Sequence, residues 1–148
     1  MKDKEGFTAL HRACDNKNIP LEVIKNLIEN KSNINLPTNT NKSTPLHLVT
    51  LHGDNFIHIF KFLIEKKAFI NSVDKNGCTP LHLACSNGEN SSEMINFLVK
   101  NKSNVDVINF SGSSPLILVC KNSNPVLENL KCLVENKANI NLTQNGKN

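Results

Sequence analysis

The chain has 148 residues, 39% of them hydrophobic, with 17 basic and 13 acidic side chains and a net charge of +4. The length suits a single domain, and so mild and scattered a charge does not argue for nucleic acid by itself. No apolar run reaches the 18 residues of a membrane-spanning helix, and the charged opening stretch lacks the apolar core of a secretory leader.

The opening turn, Asp3 to Phe7, leads to Thr8, a good N-cap because its hydroxyl accepts from a free backbone N–H. A short helix is predicted over residues 9–15, and Pro20 starts a longer one over 21–30. Thr44 and Pro45 predict a helix over 45–52; Pro at the first helical position loses no hydrogen bond. The stretch 55–66 carries Phe56, Ile57, Ile59, Phe60, Phe62, Leu63 and Ile64. That is too apolar for one face and suits a helix packed between two neighbours. Asp74-Lys75-Asn76-Gly77-Cys78 is a polar turn, followed by a helix opening at Thr79-Pro80, a polar loop over 87–92, and an amphipathic helix over 93–101. Helices over 115–121 and 126–136 complete the run. Ile34-Asn35-Leu36, Ile70-Asn71-Ser72, Val105-Asp106-Val107 and Ile140-Asn141-Leu142 each reach out to the next turn.

One phrase recurs: Thr8-Ala9-Leu10-His11, Thr44-Pro45-Leu46-His47, Thr79-Pro80-Leu81-His82 and Ser114-Pro115-Leu116-Ile117, at steps of 36, 35 and 35 residues. A fixed period of this size means stacked units that bury a core only against their neighbours. The sequence therefore divides into units over about 3–36, 37–72, 73–107 and 108–142 within one domain, with 143–148 read as the start of a further turn or a tail. The fold class is all-α, a solenoid of stacked helix-turn-helix units with short β-turn fingers.

Asp74-Lys75-Asn76-Gly77-Cys78-Thr79-Pro80-Leu81-His82-Leu83-Ala84-Cys85 resembles the ankyrin repeat almost throughout, and Asn33-Ile34-Asn35, Asn104-Val105-Asp106 and Asn139-Ile140-Asn141 resemble its closing motif. The resemblance covers essentially the whole chain. Three departures stand out. The period is 35 rather than 33, with the extra residues between the helices, at Asn18-Ile19-Pro20 and Glu89-Asn90-Ser91. Turn two is one residue longer and has Lys42 in place of glycine. The glycine after the second helix is replaced by Lys31, Lys67, Lys102 and Lys137, so that either each Lys adopts a strained left-handed backbone or the preceding Asn30, Asn101 or Asn136 takes over the turn. The first and last units lack an obvious polar cap, which reads as a piece of a longer array or of a multidomain protein.

No catalytic constellation, phosphate-binding glycine loop or dinucleotide fingerprint appears, and no cofactor or metal is expected. His11, His47 and His82 sit one per unit, too far apart to share a metal of ~2 Å bonds across helices packed ~8–10 Å apart. The resemblance implies that each hydrogen-bonds within its own turn. Cys14, Cys85 and Cys120 read as small core residues, Cys132 as buried, and Cys78 as a turn residue at the surface. Five cysteines without a C-x-x-C pair suit reduced thiols inside a cell, in the cytoplasm or nucleus.

The resemblance also implies a non-catalytic role: binding a protein partner on the concave face, through turn tips and first-helix ends. The matching turn positions are Lys4, Glu5 and Phe7; Thr40, Asn41 and Ser43; Lys75, Asn76 and Cys78; and Phe110, Ser111 and Ser113. The helix-end positions are Asp15 and Asn16; Leu51 and His52; Ser86 and Asn87; and Lys121 and Asn122. Buried apolar anchors carry most interface energy, so Phe7, Leu51, His52, Cys78 and Phe110 lead the candidates, with Lys75, Asn76, Ser86 and Asn87 beside them. The plainer alternative is that Phe7 and Phe110 only cover neighbouring turns. Two other readings remain: a regulatory or targeting domain of a larger protein, and a binder of an acidic polymer, nucleic acid or anionic lipid, through the lysine column. A monomer acting as adaptor or scaffold is expected.

Overall fold

A computed structural model describes residues 2–142. Eight α-helices lie in that range: α1 (Ala9–Asp15), α2 (Leu21–Glu29), α3 (Pro45–Thr50), α4 (Ile57–Glu65), α5 (Pro80–Asn87), α6 (Ser92–Lys100), α7 (Pro115–Lys121) and α8 (Leu127–Glu135). They form four pairs stacked in two layers. The first helices run α1, α3, α5, α7, and behind them lie α2, α4, α6, α8, each touching the next in its row.

The repeated Leu of each first helix (Leu10, Leu46, Leu81 and Leu116) is buried, as are Leu63, Leu98 and Leu133 at one position of the second helices. Each such leucine adds about 1.5–3 kcal/mol of burial. Phe60 meets Phe97 edge-on across the units, with centroids 6.3 Å apart.

Every second helix ends the same way. The N–H of Lys31, Lys67, Lys102 and Lys137 donates to a carbonyl three residues back, and the next N–H donates to one five residues back. This is the Schellman closure, and it needs a left-handed residue at its centre. The lysines supply it at φ 65, 71, 64 and 68°. Of the two routes open from sequence, the lysines take the left-handed position themselves. The asparagines before them act as caps instead: the side-chain amides of Asn30, Asn101 and Asn136 each donate to a carbonyl four residues back at 2.8 Å. Much of the recurrent Asn-Lys pairing is thus a helix stop. Lys42 is also left-handed, at φ 55°.

The lengthened loops between helices share a length but not a conformation. In the middle units Gly53 and Gly88, both at φ 67°, open 3₁₀ turns over Gly53–Phe56 and Gly88–Ser91. In the outer units Asn16 and Asn122 are extended and the chain enters the second helix past Pro20 or Pro125. These turns shorten the predicted helices: α3 stops at Thr50, two residues early, and α4 starts at Ile57. They also lock units together. Both oxygens of the Asp54 carboxylate accept from the first N–H groups of α6, from Glu93 at 2.9 Å and Met94 at 3.0 Å, so a side chain of unit two caps a helix of unit three.

The cysteines divide differently from expectation. Cys14 and Cys85 are buried, because α3 and α7 cover them. Cys120 is exposed, since no helix stacks beyond α7 among the described residues, and Cys132 is only half-buried. The last six residues, assigned above to a further turn or tail, lie outside the described residues.

Candidate functional site

The fingers are built from side-chain to backbone hydrogen bonds. Asp74 Oδ1 accepts from the N–H of Asn76 at 2.8 Å and of Cys78 at 2.9 Å, and Gly77 sits left-handed at φ 74° to let the chain turn. Asp3 and Asn109 do the same in units one and four. In the longer second turn Thr38 substitutes, its hydroxyl accepting from Ser43. Backbone hydrogen bonds join finger to finger, from Asn39 to Glu5 (3.3 Å), Lys75 to Asn41 (2.8 Å) and Phe110 to Asn76 (2.9 Å). The tips are therefore one tied row.

The three histidines fasten that row to the helices. In each, the backbone N–H of the capping Thr donates to Nδ1 at 3.1–3.2 Å, and the Thr hydroxyl lies 2.8 Å from the same nitrogen. A backbone N–H can only donate, so Nδ1 is the acceptor and Nε2 carries the proton. Nε2–H donates to the carbonyls of Leu36 (2.8 Å), Cys78 (3.1 Å) and Ser113 (3.1 Å), which lead into or belong to the following finger. Each imidazole thus spans two units, where one turn was expected. Burial lowers all three pKa values from the ordinary 6.5, and a proton on Nδ1 would also face an N–H that has nowhere to turn. These are neutral structural histidines.

In the two outer units a first-helix side chain reaches back to its own finger. Arg12 of α1 reaches back to Asp3 and Glu5 of the first finger at 2.6 Å each, with its guanidinium 4.1 Å from the centre of the Phe7 ring. Lys121 at the end of α7 reaches Ser113 Oγ at 3.4 Å.

The predicted residues fall in two lines, one at the finger tips and one at the ends of the first helices. In the tip line, Lys75 and Asn76 are exposed, the Asn76 carbonyl accepts from the Phe110 N–H, and Phe110 is 80% exposed. Its ring passes over Gly77, where an added Cβ would come within 2.8 Å of it. In the helix-end line, Leu51 is 56% exposed, Ser86 is exposed and Asn87 half-buried. Leu51 borders a cleft of about 370 Å³ shared with His52, Phe56, Lys17 and Asn55.

Three candidates carry structural work. Phe7 is half-buried between His11, 5.7 Å away edge-on, and Arg12. His52 is half-buried and stacks on Phe56 at 4.7 Å, while its Nε2 is buried with no hydrogen-bond partner. Cys78 is half-buried rather than at the surface; its Sγ accepts from Asn109 Nδ2 at 3.4 Å, and burial raises its pKa, so it is no reactive thiolate.

Sequence reasoning missed Arg12, Asp54 and Phe69. Arg12 falls where the other units have Leu48, Leu83 and Leu118, so comparing units position by position exposes it. Asp54 gave no such signal, because its partner is set by how the loops stack.

Four stacked helix pairs with a tied row of fingers and no regular strand among the described residues define a helical repeat solenoid. A family model for ankyrin repeats (3 copies) matches residues 10–109, and the chain belongs to the ankyrin-repeat family. No curated protein matches the chain. Ankyrin repeats are in general protein–protein interaction modules and typically non-enzymatic. No helix of the described residues is long and apolar enough to cross a membrane.

Proposed function

We propose that this chain recognises a protein partner on its concave edge, between the finger tips and the ends of the first helices, without catalysing a reaction. The observation that carries this reading is the pair of large apolar side chains left open on that edge, Leu51 and Phe110. Both stand on backbone held by hydrogen bonds: Phe110 N–H donates to Asn76, and Leu51 N–H to His47 and Leu48. Little ordering entropy is lost when such a surface docks, which leaves more of the contact energy for affinity. Lys75, Asn76, Ser86 and Asn87 supply a polar rim.

The test is a comparison of wild type with the Leu51→Ser/Phe110→Ser double variant in affinity capture from native lysate, followed by measured affinity for the captured partner. Loss of at least about tenfold is expected, as for truncation of anchor residues, with helical circular dichroism unchanged. Equal affinity of the two proteins would refute the assignment of the edge.

A further inference from the structure

The three residues after each second helix repeat in kind: Lys31-Ser32-Asn33, Lys102-Ser103-Asn104 and Lys137-Ala138-Asn139. In these units the Asn accepts at 3.0 Å from the N–H two residues on and shapes the link to the next finger. Unit two reads Lys67-Ala68-Phe69. Phe69 cannot make that turn, and it is 64% exposed. Its backbone is nevertheless clamped from unit one. Asn35 Oδ1 accepts from Phe69 N–H at 2.7 Å, and the Asn35 amide donates to the Lys67 carbonyl at 3.1 Å. An aromatic ring is held out to solvent at a position where the repeat otherwise places a structural Asn.

Beside it lies an open groove of about 650 Å³, lined by Ile64, Phe69 and Ile70 together with Lys67, Asn71 and Asn101. Its volume is in the range of ligand clefts, and it is open to solvent rather than enclosed. The charge around it leans basic. In units one, two and four an exposed Glu (Glu29, Glu65, Glu135) stands two residues before the left-handed Lys, but unit three has Lys100 there. The border of units two and three therefore presents Lys66, Lys67, Lys100 and Lys102, with Glu65 among them and Glu128 and Glu135 of unit four sharing the surroundings of Cys132 with Lys100, and none of these four lysines forms an ion pair among the described residues. Glycine would occupy the left-handed positions without strain, yet lysine stands at all four.

We infer that this edge, on the C-terminal side of the second helices, is a second docking site that takes an acidic, extended peptide segment carrying one large aliphatic or aromatic side chain. The groove beside Phe69 receives that side chain, and the lysines meet the carboxylates on either side. Successive units stack about 8–10 Å apart, and an extended chain advances ~3.3 Å per residue, so acidic residues spaced by about three meet one unit each. A membrane surface is disfavoured because the equivalent positions in the other units are Asn33, Asn104 and Asn139. A single-stranded nucleic acid is disfavoured because a row of stacking aromatics is missing.

The test uses fluorescence anisotropy with a labelled nine-residue peptide of glutamates and one central leucine, and a second peptide with serine in place of that leucine. Wild type is expected to bind the first at least about tenfold more tightly than the second, with Phe69→Ser losing that difference. The Lys67→Glu/Lys102→Glu double variant is expected to lose binding of both peptides, and added salt to weaken both, because the charges are exposed. The Leu51→Ser/Phe110→Ser variant is expected to bind the peptide within twofold of wild type, so this site and the concave edge succeed or fail separately. Three results would overturn the inference: no binding of the leucine peptide; binding indifferent to Phe69→Ser; or lysine-dependent binding of a DNA duplex or phosphatidylserine vesicles that exceeds peptide binding and ignores Phe69.

Discussion

Replacing His82 by Ala tests whether the imidazoles couple one unit to the next. His82 is fully buried, and three groups depend on it: the Thr79 N–H and hydroxyl at Nδ1, and the Ser113 carbonyl at Nε2. The hydroxyl can rotate to another acceptor and the Ser113 carbonyl keeps the N–H of Asn109 at 3.0 Å, but the Thr79 N–H has no other partner. Each buried group left unpaired costs about 1–3 kcal/mol, and the lost ring leaves a void. The expected loss is therefore about 2–4 kcal/mol, a large part of the ~5–15 kcal/mol that holds a domain folded. Urea unfolding followed by circular dichroism reads the loss, and amide hydrogen exchange locates it, with the Thr79 N–H losing protection. Unit four is expected to loosen first, since the broken bridge is the one to Ser113. A loss below about 1 kcal/mol, with Thr79 still protected, would show that the histidines only fill space.

The pH dependence follows from the same neutral tautomer. The folded pKa values of His11, His47 and His82 are lowered from 6.5, so the unfolded chain binds more protons once the pH falls below that value. Their contribution is complete above about pH 7 and declines below 6.5, by at most ~1.4 kcal/mol per pH unit for each histidine. Urea midpoints at pH 7.5 and 5.5 check this, and a flat profile would contradict it. Gly53→Ala is expected to cost about 2–3 kcal/mol in the same assay, because φ is +67° and the new Cβ would stand 2.3 Å from the Asn90 carbonyl oxygen. Gly88→Ala costs less, because there the Cβ meets the movable amide of Asn122. A thiol reagent under native conditions is expected to label the exposed Cys120 first and to leave Cys14 and Cys85 untouched until unfolding; burial pushes Cys14 up to about 12 and raises Cys85 further. Fast labelling of either buried thiol would contradict the packing.

The units and most helix bounds were legible because each rests on local chemistry repeated four times. Thr8, Thr79 and Ser114 cap as their residue types require, and the apolar spacing of α2, α4, α6 and α8 marks their buried faces. What sequence could not supply was contact between units. The second hydrogen bond of each histidine, the Asp54 cap on α6 and the clamp of Asn35 on Phe69 join residues 25 to 40 positions apart. Cys120 was misplaced for a related reason: its repeat position predicts burial, but burial there depends on a following helix. The candidate site was half legible. Leu51 and Phe110 are exposed as expected, while Phe7, His52 and Cys78 turn inward to contacts that only the stacked fold creates.

The central claim, recognition of a protein along the concave edge, is tested most directly by photocrosslinking. A photoreactive phenylalanine at position 110 or 51, in otherwise native chain added to native lysate, is expected to trap the same discrete protein partner from both positions. The same residue at position 22, exposed on α2 at the back of the stack, is expected to trap none. Crosslinks that are equally frequent at position 22, or absent at both 51 and 110, would contradict the account.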